Sequence, residues 1–244
     1  MKRKALEKNF DQTEVQAINL DLSRLWSKEA YEQYGEPADV HPEIATRLDA
    51  AEPGTVLDMG CGTGTLKQTL RAKWIGVDRS VLQLRQARGP TAIADLRTLP
   101  FADETFGAVA TLYTLYFFED PSLVATEARR VLKPGGLFAV CAPSLKDSPE
   151  IAHIARNPDE GAFSSEDIEE LLNEQFIDVE INEWNFPFLE LKDLESARDY
   201  IHFFYYPHLS VSESAGHARA LDLPVKITKI GAWGVGRKPS SEVR

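Results

Sequence analysis

The sequence predicts a doubly wound α/β fold, and three observations predict it. The hydrophobic period changes from helical to alternating near residue 55. From there, short apolar strand-like runs and helical runs take turns as far as residue 142. A glycine cluster stands directly behind the first of those runs, "TVLDMGCGTGTL" (residues 55–66), and acids close the first three. Short apolar strands alternating with helices form a parallel sheet covered on both faces, with right-handed crossovers.

The elements follow in order. From Val15 to Tyr34, apolar residues Val15, Ile18, Leu22 and Leu25/Trp26 recur at helical spacing until Gly35 and Pro37 stop the run. "HPEIATRLDAA" is a second helix, with Pro42 in its first turn and Pro53–Gly54 behind it. "TVLDM" is a strand, "GTLKQTLRA" a helix, "WIGVD" a strand and "SVLQLRQARG" a helix. "TAIAD" and "FGAVATLY" are strands, "DPSLVATEARRVL" a helix and "GLFAVCA" a strand. "SSEDIEELLNEQF" is a helix whose Ser164 and Asp167 have capping-box spacing. "IDVEINEW" and "VKITKIGAWGVGRK" alternate as strands, and an insertion from Asn185 to Pro224 separates them. It divides the chain into a helical cap (1–53), a core (54–184 and 225–238) and an inserted segment (185–224) that would act as a substrate lid.

Composition narrows the function. A chain of 244 residues with 43% hydrophobic content buries one sizeable core. The net charge of −11 repels polyanions and anionic membranes, and no basic groove with interleaved aromatics is present. No apolar run reaches membrane-spanning length, and "MKRKALEKNFDQTE" has no apolar core behind its basic residues, so a cytoplasmic protein is the expectation. Cys61 and Cys141 make neither a disulfide framework nor a metal-site pattern, and no metal is expected.

In a doubly wound sheet, ligands bind beyond the carboxyl ends of the strands. Gly60, Gly62 and Gly64 stand at such an end, where glycine admits positive φ and close approach of a ligand. Their G-x-G-x-G spacing is not the dinucleotide fingerprint, which needs its third glycine where Thr65 stands, and no G-K-[ST] of a P-loop follows. Asp58, Asp78 and Asp95 lie at successive strand ends beside this turn. Asp78, twenty positions after Asp58, is placed to accept ribose hydroxyls, and Asp95 to reach an adenine edge.

"VLDMGCGTG", "IGVDRS", "ADLRTLPFADETFGAV", "FFEDP" and "RRVLKPGGLF" together resemble the ordered motifs of class I S-adenosylmethionine-dependent methyltransferases, the small-molecule branch that includes the ubiquinone/menaquinone type. The resemblance covers Thr55 to Ala142 closely. It implies a Rossmann-like, mostly parallel seven-stranded sheet with an antiparallel last strand, N-terminal helices and an α-helical insertion before that strand. It also implies S-adenosylmethionine as donor and S-adenosylhomocysteine as product. Gly60, Gly62 and Gly64 would then pass under the methionine part, and Asp58 would face its amino group. Asp78 would hold the ribose, with Arg79 beside the adenine, Asp95 on the adenine amino group and the Leu96 backbone against the ring. Thr111 and Leu112 would line the sulfonium region. The chain departs from the family at Gly107, where Asp is frequent, and at Tyr116, where many members carry His.

Methyl transfer from a sulfonium is an in-line displacement that needs alignment and dryness more than a protein nucleophile. For a hydroxyl or acidic carbon a general base helps. Tyr113, Tyr116, His153 and His202 are the candidates, each with plain packing as the alternative. Cys61 and Cys141 read as packing, and His41 as a capping or surface residue. In the insertion, Asp193 caps a helix that Pro207 ends, and Tyr200, Phe203, Phe204, Tyr205 and Tyr206 crowd its last turns, as a lid over an apolar or aromatic acceptor or as a packing or homodimer contact. The expected function is methyl transfer to a small molecule. An RNA or protein methyltransferase, a catalytically silent donor-binding protein and a nicotinamide oxidoreductase are the rivals.

Overall fold

A computed structural model describes residues 40–154, 162–205 and 210–240, apart from the side chains of residues 203–205. The first expected helix, with Trp26, Tyr31 and Tyr34, therefore lies outside the described residues, as do Tyr206, Pro207 and His208. Seven strands form one sheet: β1 (Thr55–Met59), β2 (Lys73–Asp78), β3 (Thr91–Ile93), β4 (Phe106–Leu112), β5 (Leu132–Pro143), β6 (Ile177–Leu191) and β7 (Val225–Arg237). Their order is β3-β2-β1-β4-β5-β7-β6. β1 to β5 pair in parallel, and β7 runs antiparallel to both β5 and β6. The mostly parallel sheet with an antiparallel last strand is thus present. Strand order reverses between β1 and β4, which places a ligand crevice at their carboxyl ends.

Each face of the sheet is covered by a different set of helices. On one side α1 (His41–Asp49) buries Ile44, Ala45 and Leu48 against Val56, Ala108, Ala110 and Leu137. On the other, α3 (Pro121–Val131) buries Val124, Ala125, Ala128 and Val131, and α4 (Ile168–Asn173) buries Ile168, Leu171 and Leu172; α2 is the single turn Val81–Leu84. The Asp120 carboxylate accepts from the Ser122 N–H at 3.0 Å and caps α3 just ahead of Pro121. Ser164 and Asp167 form the expected capping box ahead of α4.

Two expected helices shrink. "GTLKQTLRA" is a single turn of 3₁₀ helix at Leu66–Gln68, because the Asp49 carboxylate captures the N–H groups of Arg71 and Ala72 at 2.9 Å each. "SVLQLRQARG" is helical only over α2, capped by the Ser80 hydroxyl. β6, in contrast, runs seven residues past Trp184. It passes through Pro187, which an edge strand tolerates because the missing N–H faces away from the ladder.

Between β6 and β7 lie α5 (Leu194–Tyr205) and α6 (Val211–Ala218). Asp193 caps α5 through the Ser196 N–H at 2.9 Å. Ala197, Tyr200, Ile201 and Ala218 pack with Ile151, Leu191 and Ile227 in a core of their own, above the carboxyl edge of the sheet. Among the described residues no helix is long and apolar enough to cross a membrane.

Candidate functional site

The site begins where β1 ends. Asp58 is 3% exposed, and the indole N–H of Trp74 donates to its Oδ2 at 3.0 Å. Its other oxygen accepts no hydrogen bond from the described residues. Burial pushes the Asp58 carboxyl up to about 6, with Trp74 and His41 working against the rise and Asp78 adding to it.

The glycine turn follows. Gly60, Gly62 and Gly64 all have positive φ, at +79°, +53° and +85°. The N–H groups of Gly60 and Cys61 both donate to the Val77 carbonyl, at 2.7 and 3.0 Å, which ties the turn to β2. The Gly62 N–H donates to Asp78 Oδ2 at 2.9 Å, and Asp78 Oδ1 accepts from the Ser80 N–H at 2.8 Å. A Cβ on Gly60 would stand 2.5 Å from the Thr114 side chain. Thr114 is held there by its hydroxyl, which donates to the Leu112 carbonyl at 2.9 Å. Close backbone approach is thus required at Gly60 before any ligand enters.

Trp74 is the residue that the sequence did not announce. It is 5% exposed and packs with Cys61 and Leu84. Its ring occupies the space that a side chain on Gly76 would need. Cys61 is buried, and desolvation pushes its thiol far up, with the nearby Asp58 and Asp78 adding to the rise. That environment makes an inert packing group of it. Cys141 is fully buried as well.

Asp95 carries its own partner. Its two oxygens accept from the Arg97 guanidinium at 3.0 and 2.6 Å, and this hydrogen bonding, against a smaller burial effect, brings the carboxyl down to about 2. Arg79 is exposed, and the Leu96 side chain is buried in the α3-side core. Thr111 and Leu112, adjacent on β4, point to opposite faces of the sheet. Leu112 joins the α1-side core, whereas Thr111 is fully buried with a hydroxyl that finds no partner among the described residues.

The candidate bases separate. Tyr113 closes β4 with φ +53°, its ring 5.9 Å from His41 and 6.2 Å from Trp184. A non-glycine residue at positive φ next to a ligand turn is strain of the kind found at functional positions. Tyr116 instead packs on the α3 side, 4.6 Å from Phe117. His153 is exposed in the turn after Ile151, and His202 is half-buried on α5. No contact described above joins either histidine to the glycine turn. His41, expected as a cap or surface group, stands beside Tyr113 and within electrostatic reach of Asp58.

Tyr200, expected among the lid aromatics, is 3% exposed and faces the core. Its hydroxyl lies 2.9 Å from Ser148 Oγ, and the ammonium of Lys229 lies 5.5 Å from its ring. Lys229 donates to Asp147 Oδ2 at 2.7 Å and to Ser148 Oγ at 3.3 Å. This cluster fastens α5 to the segment after β5 and to β7. Among the described residues no cluster of His, Cys, Asp and Glu is arranged to hold a metal.

Residues 57–140 match a family model described as a methyltransferase domain. The demethylmenaquinone methyltransferase of Corynebacterium urealyticum is 33% identical over 156 residues, covering 62% of this chain and 61% of that protein. The ubiquinone/menaquinone biosynthesis C-methyltransferase UbiE of Desulfotalea psychrophila is 40% identical over 118 residues, covering 43% of this chain and 48% of its own. The chain thus spans less than two thirds of the length of either relative. Among solved structures, a methyltransferase from Thermotoga maritima described as a possible histamine N-methyltransferase superposes with a TM-score of 0.58. It is 20% identical, and the match covers 93% of this chain and 99% of that one, a likeness of fold.

Proposed function

We propose that this chain, which belongs to the class I S-adenosylmethionine-dependent methyltransferases, transfers the methyl group of that donor to a small apolar or aromatic molecule. The observation that carries the donor is Asp58: a nearly buried carboxylate with one oxygen held by Trp74 and the other lacking a donor among the described residues. A ligand ammonium supplies the missing hydrogen bond and the compensating charge, which a buried carboxylate requires. The glycine turn beside it leaves room for the ligand's backbone-hugging part, and the Asp78 carboxylate, fixed by two N–H groups, is oriented for a diol.

Bound donor supplies an electrophilic methyl on a sulfonium, and the residues here hold, orient and exclude water. Asp58, Gly60, Gly62, Gly64 and Asp78 form the binding edge in this proposal, with Arg79, Asp95 and the Leu96 backbone on the adenine side and Thr111 and Leu112 at the base. Asp95 then shares its carboxylate between Arg97 and the ligand. Cys61, buried and hard to ionise, is no nucleophile, in keeping with direct transfer. Tyr113 has the placement of an acceptor-side group; His153 and His202 do not share it. In the same proposal the described residues of the stretches 40–53 and 185–224 enclose the acceptor over the core.

The small-molecule acceptor draws on the acidic net charge and on relatives whose names refer to quinone precursors. The experiment is calorimetric titration with S-adenosylmethionine and S-adenosylhomocysteine, with NADH as control and Asp78→Ala as the site test. Binding near −8 kcal/mol, about micromolar, that collapses in Asp78→Ala is the expected outcome. Saturable NADH binding without response to either adenosyl ligand overturns it. Donor binding without transfer to any acceptor identifies the silent binder instead.

A further inference from the structure

The β6–β7 ladder does not stop where the sheet stops. β5 ends at Pro143, opposite Gly231, yet β6 and β7 stay paired from Asn185–Ile230 to Leu191–Val225. Six residues of β7 therefore project beyond the carboxyl edge as a two-stranded ribbon, roughly 20 Å long at about 3.4 Å per residue. Successive side chains alternate faces and directly paired residues share one, so Trp184 and Phe186 lie on the same face of the ribbon as their partners Gly231 and Lys229. That is the α1 face, where both pack with Tyr113 and Leu112.

Aromatic rings continue along this face. Tyr113, next to the Thr114 that touches Gly60, lies 6.2 Å from Trp184. A Cβ on Gly231 would collide with the Trp184 ring, so the glycine lets the indole lie flat on the ribbon. Phe186 follows two residues on, and Phe188, at a register shift in the ladder, lies 5.6 Å from the Lys229 ammonium. Bulges of this kind re-aim side chains at sites. Trp184, Phe186 and Phe188 are all half-buried. At the far end Lys229, Asp147, Ser148 and Tyr200 satisfy one another, and α5 closes the strip.

The geometry points to Tyr113, Trp184, Phe186 and Phe188 as the acceptor subsite, taking a flat, uncharged, ring-bearing molecule with its reacting atom near Tyr113 and its body along the ribbon. This inference rests on the methyltransferase reading and adds to it the residues that choose the acceptor. A strip of rings that runs on from the glycine turn, and whose Lys229 is already engaged by Asp147, favours neutral stacking over recognition of charge.

The test uses the full chain saturated with S-adenosylhomocysteine and two probes, naphthol and octanol, followed by calorimetry and saturation-transfer NMR. Naphthol is expected to bind, and Trp184→Ala and Phe186→Ala to weaken it at least about tenfold, while affinity for S-adenosylhomocysteine changes less than about twofold. Trp184→Phe, which keeps a ring in place, is expected to restore most of the naphthol affinity, so that a poorly folded alanine variant does not decide the matter. Naphthol binding that none of the variants changes, or naphthol displaced by S-adenosylhomocysteine, overturns the subsite. Octanol binding as tightly and with the same sensitivity overturns the ring-bearing acceptor. Failure to bind S-adenosylhomocysteine would instead strike the methyltransferase reading, and the naphthol titration would still report on the strip.

Discussion

In the proposed donor site, the burial of Asp58 makes binding depend on pH in a definite direction. Its folded carboxyl sits at about 6 against an ordinary 3.8. That rise of about two pH units is worth roughly 3 kcal/mol at 1.36 kcal/mol per unit. The folded chain therefore holds this proton more tightly than the unfolded chain does. The stability this gives is fully present below pH 4 and is lost as pH rises through 6. Above pH 6 the carboxylate is charged, buried and served by the Trp74 indole alone among the described residues. A ligand ammonium pairs best with that ionised form. Below pH 6, binding must first remove a proton, so affinity for S-adenosylmethionine falls about tenfold per pH unit. Titration calorimetry from pH 5 to 8 should show an inflection near 6 and a plateau above it.

Three variants separate Asp58 from its neighbours. Asp58→Asn should remove the inflection and weaken binding at every pH. It should also raise the apo melting temperature at pH 7.5 by several degrees, because a buried charge is gone while an acceptor for Trp74 remains. His41→Gln, which alters the histidine acting on Asp58, should leave an inflection in place. Trp74→Phe should move it upward, since it removes a hydrogen bond to a charged group worth about 1.5–3 kcal/mol. A flat wild-type profile, or an inflection that survives in Asp58→Asn, refutes the reasoning.

Further perturbations test the scaffold. Gly60→Ala drives a methyl against Thr114 at a φ of +79°; donor binding should be lost in calorimetry with a stability cost of about 1–3 kcal/mol in urea melts, and Thr114→Ala in the same chain should recover only part of it. Gly107→Asp installs the residue frequent in the family, but a Cβ there would meet the Pro53 carbonyl; a marked fall in denaturation midpoint is expected, and an unchanged one refutes the packing argument. Lys229→Ala removes an ion pair but leaves Asp147 the Ile230 N–H and the Ser148 hydroxyl, and should cost about 1.5–3 kcal/mol, whereas Arg47→Ala, which breaks an exposed pair with Glu180, should cost under about 1 kcal/mol by the same urea titration.

What the sequence disclosed and what it hid divide along one physical line. The glycine turn and the acids at strand ends were legible because each is a local device: Gly60 and Gly62 need positive φ, and Asp78 caps the backbone two residues on at Ser80. The succession of strands and helices along the chain followed from the period of the apolar residues. Trp74 was not legible as a partner of Asp58, since sixteen residues separate them and only the parallel register of β1 with β2 brings them together. The one local sign was "WIG", a glycine two positions after a tryptophan on the same strand face. The shortening of the helix after the glycine turn was hidden for the same reason, because Asp49 acts on Arg71 and Ala72 from another element. The departure at Gly107 shows it most sharply. The glycine that stands where Asp is frequent in the family leaves room for Pro53 to lie against β4, a contact between segments that no period records. Local chemistry thus marks the proposed donor edge in the sequence, while the proposed acceptor strip depends on long-range pairings such as Trp184 over Gly231, which only the folded chain displays.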